Sequence, residues 1–197
     1  MAEIRIDPAG RKKRIAIDLD DTIADVTSNV IDMIRKEYGI GIKKEDITDY
    51  NIDLFAKIGK DKVMDAFVRA WDNKSKIALM DKDIPRVMAE LRKEYVIDIF
   101  TATSGKLEAV LAWLYMNNIR FDNFVHLRNS REKLGFSDYD AFIDDNPMVA
   151  EHYSSAGKKV FMMRQPWNEH LANAASNSDT NIIPVLSWAE ILAKSGK

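Results

Sequence analysis

The stretch Ile15-Ala16-Ile17-Asp18-Leu19-Asp20-Asp21-Thr22 carries a short apolar run straight into a cluster of carboxylates and a hydroxyl. The run follows the charged lead Arg11-Lys12-Lys13-Arg14 and has the length of a buried strand in a parallel sheet. Similar runs recur at residues 95–100, 124–127, 141–143 and 160–163. Helical patterns or loops separate them. Leu107, Val110, Leu111 and Leu114 fall at helical spacing, with Asn117 and Asn118 as terminators. Asn146-Pro147 has the form of an N-cap followed by Pro at the first helical position, and Gly157 supplies a left-handed stop. Ser187-Trp188-Ala189-Glu190 is a capping-box pattern opening a last helix. Alternation of this kind predicts an α/β fold built on a doubly wound, mostly parallel sheet.

One stretch interrupts the alternation. Residues 23–94 show helical faces but no strand: Val30 with Ile34; Val63, Phe67 and Trp71; Ile84, Val87, Met88 and Leu91. Tyr38-Gly39-Ile40-Gly41 and the polar residues 43–53 form a stop and a connection between them. The expected organisation is therefore a core of residues 1–22 and 95–197 with a small helical insertion at 23–94. Residues 172–180, rich in Ala, Asn and Ser, are expected to be a loose loop.

Composition narrows the function. The 31 acidic residues against 29 Lys and Arg give a net charge of −2, without the basic excess that a nucleic acid polymer demands of its binders. With no Cys, disulfides, thiolate metal sites and a cysteine nucleophile are excluded together. The longest stretch without Asp, Glu, Lys or Arg runs eleven residues, 109–119, against the ~20 that a membrane-spanning helix needs. Charge in the first twenty residues stands where a signal peptide has its apolar region, so a cytoplasmic location and no membrane partner are expected. A homodimer is left open.

Ligands of an open α/β sheet sit outside the carboxyl ends of its strands. The first run ends in Asp18-Leu19-Asp20, the second in Thr101-Ala102-Thr103, and the fourth in Asp144-Asp145. A single Asp after a strand is most often a cap or turn residue, and Asp145 or Asn146 alone would be read so. Acids ending two strands and a hydroxyl ending a third are harder to explain as caps. Carboxylates converging in one crevice repel unless a cation or a proton intervenes. An oxygen-only donor set in a chain without Cys points to Mg²⁺.

These residues resemble motifs of the haloacid dehalogenase superfamily of phosphotransferases. Residues 15–22 match its first motif, an apolar strand followed by Asp-x-Asp-x-Thr; residues 97–101 match the second, an apolar strand ending in Thr or Ser. Lys133 fits the third, with Lys106 and Arg131 as competing cations, and residues 141–145 fit the fourth. Closer still is a resemblance to the 5'(3')-deoxyribonucleotidase branch. It rests on residues 18–25, the insertion after them, the spacing from Arg131-Glu132-Lys133 to Asp144-Asp145, and the segments Gln165-Pro166-Trp167-Asn168 and 187–190. One departure stands at Ala102, where those nucleotidases carry Ser.

The resemblance implies a Rossmann-like core with a helical cap inserted after the first strand, and a Mg²⁺-dependent phosphomonoester hydrolase. Asp18 would be the nucleophile, forming an aspartyl-phosphate, and Asp20 the general acid and base. Mg²⁺ would be held by Asp18, the backbone carbonyl of Asp20, and Asp144. Thr101 and Lys133 would stabilise the transferring group, Asp145 would either support the residues around the site or partner Lys133, and Thr22 would order the loop. Substrate contacts would come from Thr101, Ala102, Arg131 and the cap aromatics Tyr50, Phe55, Phe67 and Trp71, although Phe67 and Trp71 at i and i+4 equally fit the cap's own core. His126, His152 and His170 show no partner. With 78 residues between Thr22 and Thr101 but 31 between Thr101 and Lys133, one cap fits early and none later. The expected substrates are (deoxy)nucleoside monophosphates. The alternatives are another small phosphate ester such as a sugar phosphate, a phospho-acceptor signalling domain, and a binding-only relative.

Overall fold

A computed structural model describes residues 12–50 and 58–195. Six parallel strands form the main sheet: β1 (Lys13–Asp18), β4 (Tyr95–Thr101), β5 (Asn123–His126), β6 (Ala141–Asp144), β7 (Lys159–Met163) and β8 (Ile182–Val185). Their order is β5-β4-β1-β6-β7-β8. β1 lies at the centre, paired with β4 through Asp18↔Phe100 and with β6 through Ile17↔Ile143.

The period-two alternation of each strand splits the core between the two faces of the sheet. Ile15, Ile17, Ile97, Ile99 and Ile143 pack on one face, with α3 (Ile84–Leu91), α4 (Leu107–Met116) and α7 (Trp188–Lys194) contributing Val87, Trp113 and Ile191. Ala16, Phe100, Phe142 and Val160 pack on the other, against Val149 and Tyr153 of α5 (Pro147–Ser155) and Ala172 of α6 (Glu169–Ser176). Both faces are covered. That is why the strands are apolar on both sides, and each fully buried Ile contributes roughly 2 kcal/mol.

Several helix ends follow their sequence signals. Gly39 closes α1 (Val26–Tyr38) at φ 67°, Asn146 accepts from Met148 N ahead of Pro147 in α5, and Ser187 accepts from Glu190 N at the start of α7.

Two local expectations are corrected, and one strand is added. Residues 23–94 do contain strands: β2 (Ala24–Asp25) and β3 (Ala78–Leu79) pair antiparallel. Two residues each are too short to show a period. Residues 172–176 are the end of α6, not a loop; the small Ala172 and Ala175 are its buried face. The sixth parallel strand, β8, escapes the pattern because it holds Pro184, which an edge strand tolerates.

The chain leaves the core between β2 and β3. Among the described residues that excursion comprises α1, a 3-10 turn at Lys44–Asp46, α2 (Lys60–Ala70) and a 3-10 segment at Trp71–Lys76. Trp113 of α4 fastens its return, donating from Nε1 to the Ile77 carbonyl at 2.9 Å. α3, which follows β3, packs against α7. Among the described residues no helix is long and apolar enough to cross a membrane.

Candidate active site

Because β4, β1 and β6 are neighbours, their carboxyl ends deliver Thr101, Asp18 and Asp144 side by side. Lys133 arrives from the 3-10 turn Ser130–Gly135 and bridges two of them, with Nζ 2.8 Å from Asp18 Oδ1 and 2.9 Å from Asp144 Oδ2. The turn is pinned from below, since the Tyr153 hydroxyl of α5 donates to the Lys133 carbonyl. The rival cations lie elsewhere: Lys106 pairs with Asp72 at the surface and Arg131 is exposed. On the other side of β1, Thr101 Oγ1 donates to Asp20 Oδ2 at 3.1 Å and accepts from Thr103 N at 3.0 Å.

The loop after β1 makes a tight turn in which Ile23 N and Ala24 N both donate to the Leu19 carbonyl at 2.9 Å. Asp21 takes a left-handed φ of 57° there, a conformation that Asp tolerates better than most residues. Later segments clamp this turn. Gln165 Nε2 donates to the Asp21 carbonyl at 2.8 Å, and Trp188 Nε1 to the Thr22 carbonyl at 3.0 Å. Asp145 accepts from Thr22 Oγ1 at 3.3 Å and Trp167 Nε1 at 2.8 Å, while Asn168 Nδ2 holds its carbonyl at 2.7 Å. Asp145 is therefore tied to Thr22 and Trp167; the Lys133 ammonium pairs with Asp144 instead.

So many buried acids cannot all ionise freely. Burial pushes the Asp18 carboxyl well above the ordinary range against the pull of Lys133. Burial, and then the charge of Asp21, raises Asp20 to about 6; burial, and then Asp144, raises Asp145 to about 7. Asp18, Asp144 and Asp145 each offer an oxygen, all within 4.8 Å of one another. This hard-oxygen set fits Mg²⁺ and would relieve the repulsion that the raised values record. The Asp20 carboxylate stands outside the group, turned to Thr101.

Above these residues lies a cavity of about 330 Å³. Asp18, Asp20 and Lys133 are at its floor, Ala102, Thr103, Ser104, Asn129 and Ser130 form a polar wall, and Ile47, Tyr50, Met64 and Phe67 an apolar one. Burial of the Tyr50 hydroxyl, with the charge of Asp145 and Asp18, drives its pKa well up, so the phenol stays protonated. Three of the residues expected to touch substrate are not in the wall, and one of them, Thr101, is fully buried with its hydroxyl on Asp20. Trp71 is fully buried, edge-on to Trp113 at 5.8 Å, and Arg131 points to solvent. Phe55 lies outside the described residues.

Sequence reasoning passed over Lys44. Within a polar connection it has the pattern of a solvated charge, yet its Nζ lies 3.1 Å from Asp21 Oδ1, 2.8 Å from Asp25 Oδ1 and 5.5 Å from the Trp167 ring centre. Arg128, also missed, lines the cavity and pairs with Glu132.

No protein-family model matches the sequence, and none of the curated proteins matches it significantly. Solved structures do share its architecture. A haloacid dehalogenase-like family hydrolase from Streptococcus pneumoniae superposes with a TM-score of 0.62 at 18% identity, covering 92% of this chain and 97% of that one. A predicted phosphoglycolate phosphatase from Haemophilus somnus gives 0.59 at 15% identity, covering 93% and 98%. A HAD-hydrolase from Bacillus subtilis bound to magnesium gives 0.55 at 12% identity, covering 95% and 100%. L-2-haloacid dehalogenases are built the same way. The chain has the haloacid dehalogenase-like α/β fold, with Asp18, Thr101, Lys133 and Asp144 gathered at the carboxyl ends of its central strands or beside them.

Proposed function

We propose that this protein is a Mg²⁺-dependent phosphomonoester hydrolase whose substrates are nucleoside monophosphates. The observation that carries the reading is the buried Lys133 ammonium shared by Asp18 and Asp144 at the floor of a cavity that Asp20 also lines, with Thr101 hydrogen-bonded to the Asp20 carboxylate. Asp18 is the nucleophile: its oxygen bonds to phosphorus as the ester oxygen departs, giving an aspartyl-phosphate. Asp20 supplies the proton to that leaving oxygen and later takes one from the hydrolytic water. Its carboxyl, raised to about 6, is suited to both directions near neutral pH. Lys133 and the Thr101 hydroxyl stabilise the oxygens of the transferring group, a donor contribution of about 3 kcal/mol each. Asp18, Asp144 and Asp145, with the Asp20 carbonyl, would hold Mg²⁺, which supplies positive charge to draw the phosphate toward an acidic floor.

That floor favours phosphoryl chemistry over dehalogenation. Three carboxylates within 4.8 Å of one another are a costly arrangement unless a cation is held there. The two-sided wall supports a substrate with a hydroxyl-bearing part and a flat apolar part, as a nucleoside has. Phe67, Met64, Ile47 and Tyr50 would face the base, and Thr103, Ser104, Asn129 and Ser130 the sugar. The excursion between β2 and β3 supplies the apolar side and acts as the cap, while α3 stays with the core.

A phosphate-release screen with Mg²⁺ across nucleotides, deoxynucleotides and sugar phosphates tests the reading. Nucleoside monophosphates should rank first, and Asp18→Asn should abolish release. Activity surviving that substitution removes the nucleophile; sugar phosphates ranking first leaves a phosphatase but not a nucleotidase.

A further inference from the structure

Two of the buried side-chain atoms that lack a hydrogen-bond partner among the described residues belong to neighbouring groups, Asp20 Oδ1 and Trp71 Nε1. An orphaned buried donor or acceptor costs about 1–3 kcal/mol, so a pair left open side by side calls for a physical cause. The two groups are close enough for the indole to favour the ionised form of the Asp20 carboxyl. Their geometry falls short of a formed bond.

Trp71 has no freedom to close that gap alone. A Cβ at Gly105 would stand 2.5 Å from Trp71 Cδ1, so the indole lies directly on the backbone there. Trp113 meets it edge-on at 5.8 Å, with the ring planes 89° apart. Among the described residues the Asp20 carboxylate is held through Oδ2 alone, by Thr101 at 3.1 Å, which leaves Oδ1 as the end free to turn. A turn of the Asp20 carboxyl that closes Oδ1 onto the indole N–H would satisfy both atoms at once.

We propose that Trp71 is a positioning residue for the acid step, its indole N–H closing onto Asp20 Oδ1 as the Asp20 carboxyl gives its proton to the leaving oxygen. The inference rests on the reading of Asp20 as the general acid. As the P–O bond to the leaving group breaks and the proton moves to that oxygen, Asp20 is left a carboxylate. A hydrogen bond to an ionised acceptor is shorter and roughly twice as strong as a neutral one, so the N–H gains most when charge develops. Trp71 lies in the excursion between β2 and β3, so seating of the cap and orientation of the acid become one event.

The test compares kcat/KM, which reports steps through aspartyl-phosphate formation, for β-glycerol phosphate and p-nitrophenyl phosphate in wild type, Trp71→Phe and Asp20→Ala, with Mg²⁺ saturating. An alkoxide leaving group needs the proton and nitrophenolate does not. Trp71→Phe should lose about ten-fold or more on the alkyl ester and several-fold less on the aryl ester, a milder copy of Asp20→Ala. Equal losses on both esters, with Asp20→Ala still selective, overturn the inference and leave the phosphatase reading intact. Asp20→Ala showing no selectivity, or release surviving Asp18→Asn, fails the reading itself. If Trp71→Phe does not fold, the indole ¹H–¹⁵N resonance of Trp71 decides. With Mg²⁺ and inorganic phosphate it should move downfield in wild type and not in Asp20→Ala; identical positions in both overturn the proposal.

Discussion

The Lys133 ammonium stands 2.8 Å from Asp18 Oδ1 with both side chains almost wholly removed from water, at 4% and 6% exposure. The same ammonium reaches Asp144, so one cation balances two buried carboxylates. Removing one partner of such a pair costs about 3–5 kcal/mol, because the other is left uncompensated. Lys133→Met should therefore lower the thermal midpoint by roughly 10 °C and reduce phosphate release by about a hundred-fold or more. Lys133→Arg should not restore release, since the larger planar fork cannot take the place of a point charge between two acids. Thermal unfolding and initial rates check both; release within ten-fold of wild type in Lys133→Met would remove Lys133 from the chemistry.

Asp20 and Asp145 give the metal-free protein an unusual pH dependence. Their carboxyls are raised to about 6 and about 7 from an ordinary 3.8. Between those limits the folded chain binds protons that the unfolded chain has released. Their contribution to stability is full below about pH 4 and is lost as pH rises through 6 and 7. In EDTA the thermal midpoint should fall by several degrees from pH 5 to pH 7.5. Mg²⁺ binds the ionised cluster, so it should recover the midpoint at pH 7.5 and do little at pH 5. Asp145→Asn should flatten the EDTA profile. A flat wild-type profile, insensitive to Mg²⁺ at either pH, would contradict the assigned site.

The strand ends were legible because their chemistry is local. An apolar run terminated by Asp18, Thr101 or Asp144 needs a buried strand to hold the polar residue at a crevice, and β1, β4 and β6 are neighbours. Lys133 could be separated from Lys106 and Arg131 only in three dimensions, since all three lie in similar loop or helix-start contexts. Trp71 and Phe67 show the limit of a periodicity argument. At i and i+4 they share a helical face, yet Phe67 lines the cavity while Trp71 starts a 3-10 segment and turns under Gly105. β2 and β3 hold two residues each and carry no period at all. Lys44 was hidden for another reason: its partners Asp21 and Asp25 are about twenty residues away, and a Lys in a polar connection gives no sign of being drawn inward.

Lys44 should matter more than its surroundings in the sequence suggest. It neutralises Asp21, buried at a left-handed φ of 57°, and ties the Lys44–Asp46 turn to the loop after β1. Thr27 also donates to Asp21, through both N and Oγ1, but neither donor brings a positive charge. Lys44→Met should destabilise the fold by about 2 kcal/mol, or roughly 5 °C, less than a fully buried pair because Asp25 keeps contact with water. It should also raise KM, since Asp21 and Ile47, the residue that ends the turn, both line the cavity. An unchanged midpoint in thermal unfolding would show that the tie carries no net energy.

The apolar wall provides the last prediction. Phe67 and Met64 project from α2 into the cavity one turn apart, and Met64 is about a third exposed there, so an apolar surface is left open where a ligand can cover it. Covering a Phe ring contributes about 2 kcal/mol by area, and stacking on a base adds up to about 1 kcal/mol. Phe67→Ala should therefore raise KM for nucleoside monophosphates by roughly ten- to a hundred-fold, with kcat reduced much less because the floor is untouched. For p-nitrophenyl phosphate, whose ring is small, the rise should be no more than about three-fold. Steady-state kinetics on the two substrates separate the outcomes. Equal rises would mean that Phe67 supports the cap without reading the leaving group, and the apolar wall would then have to be assigned to Tyr50 and Ile47.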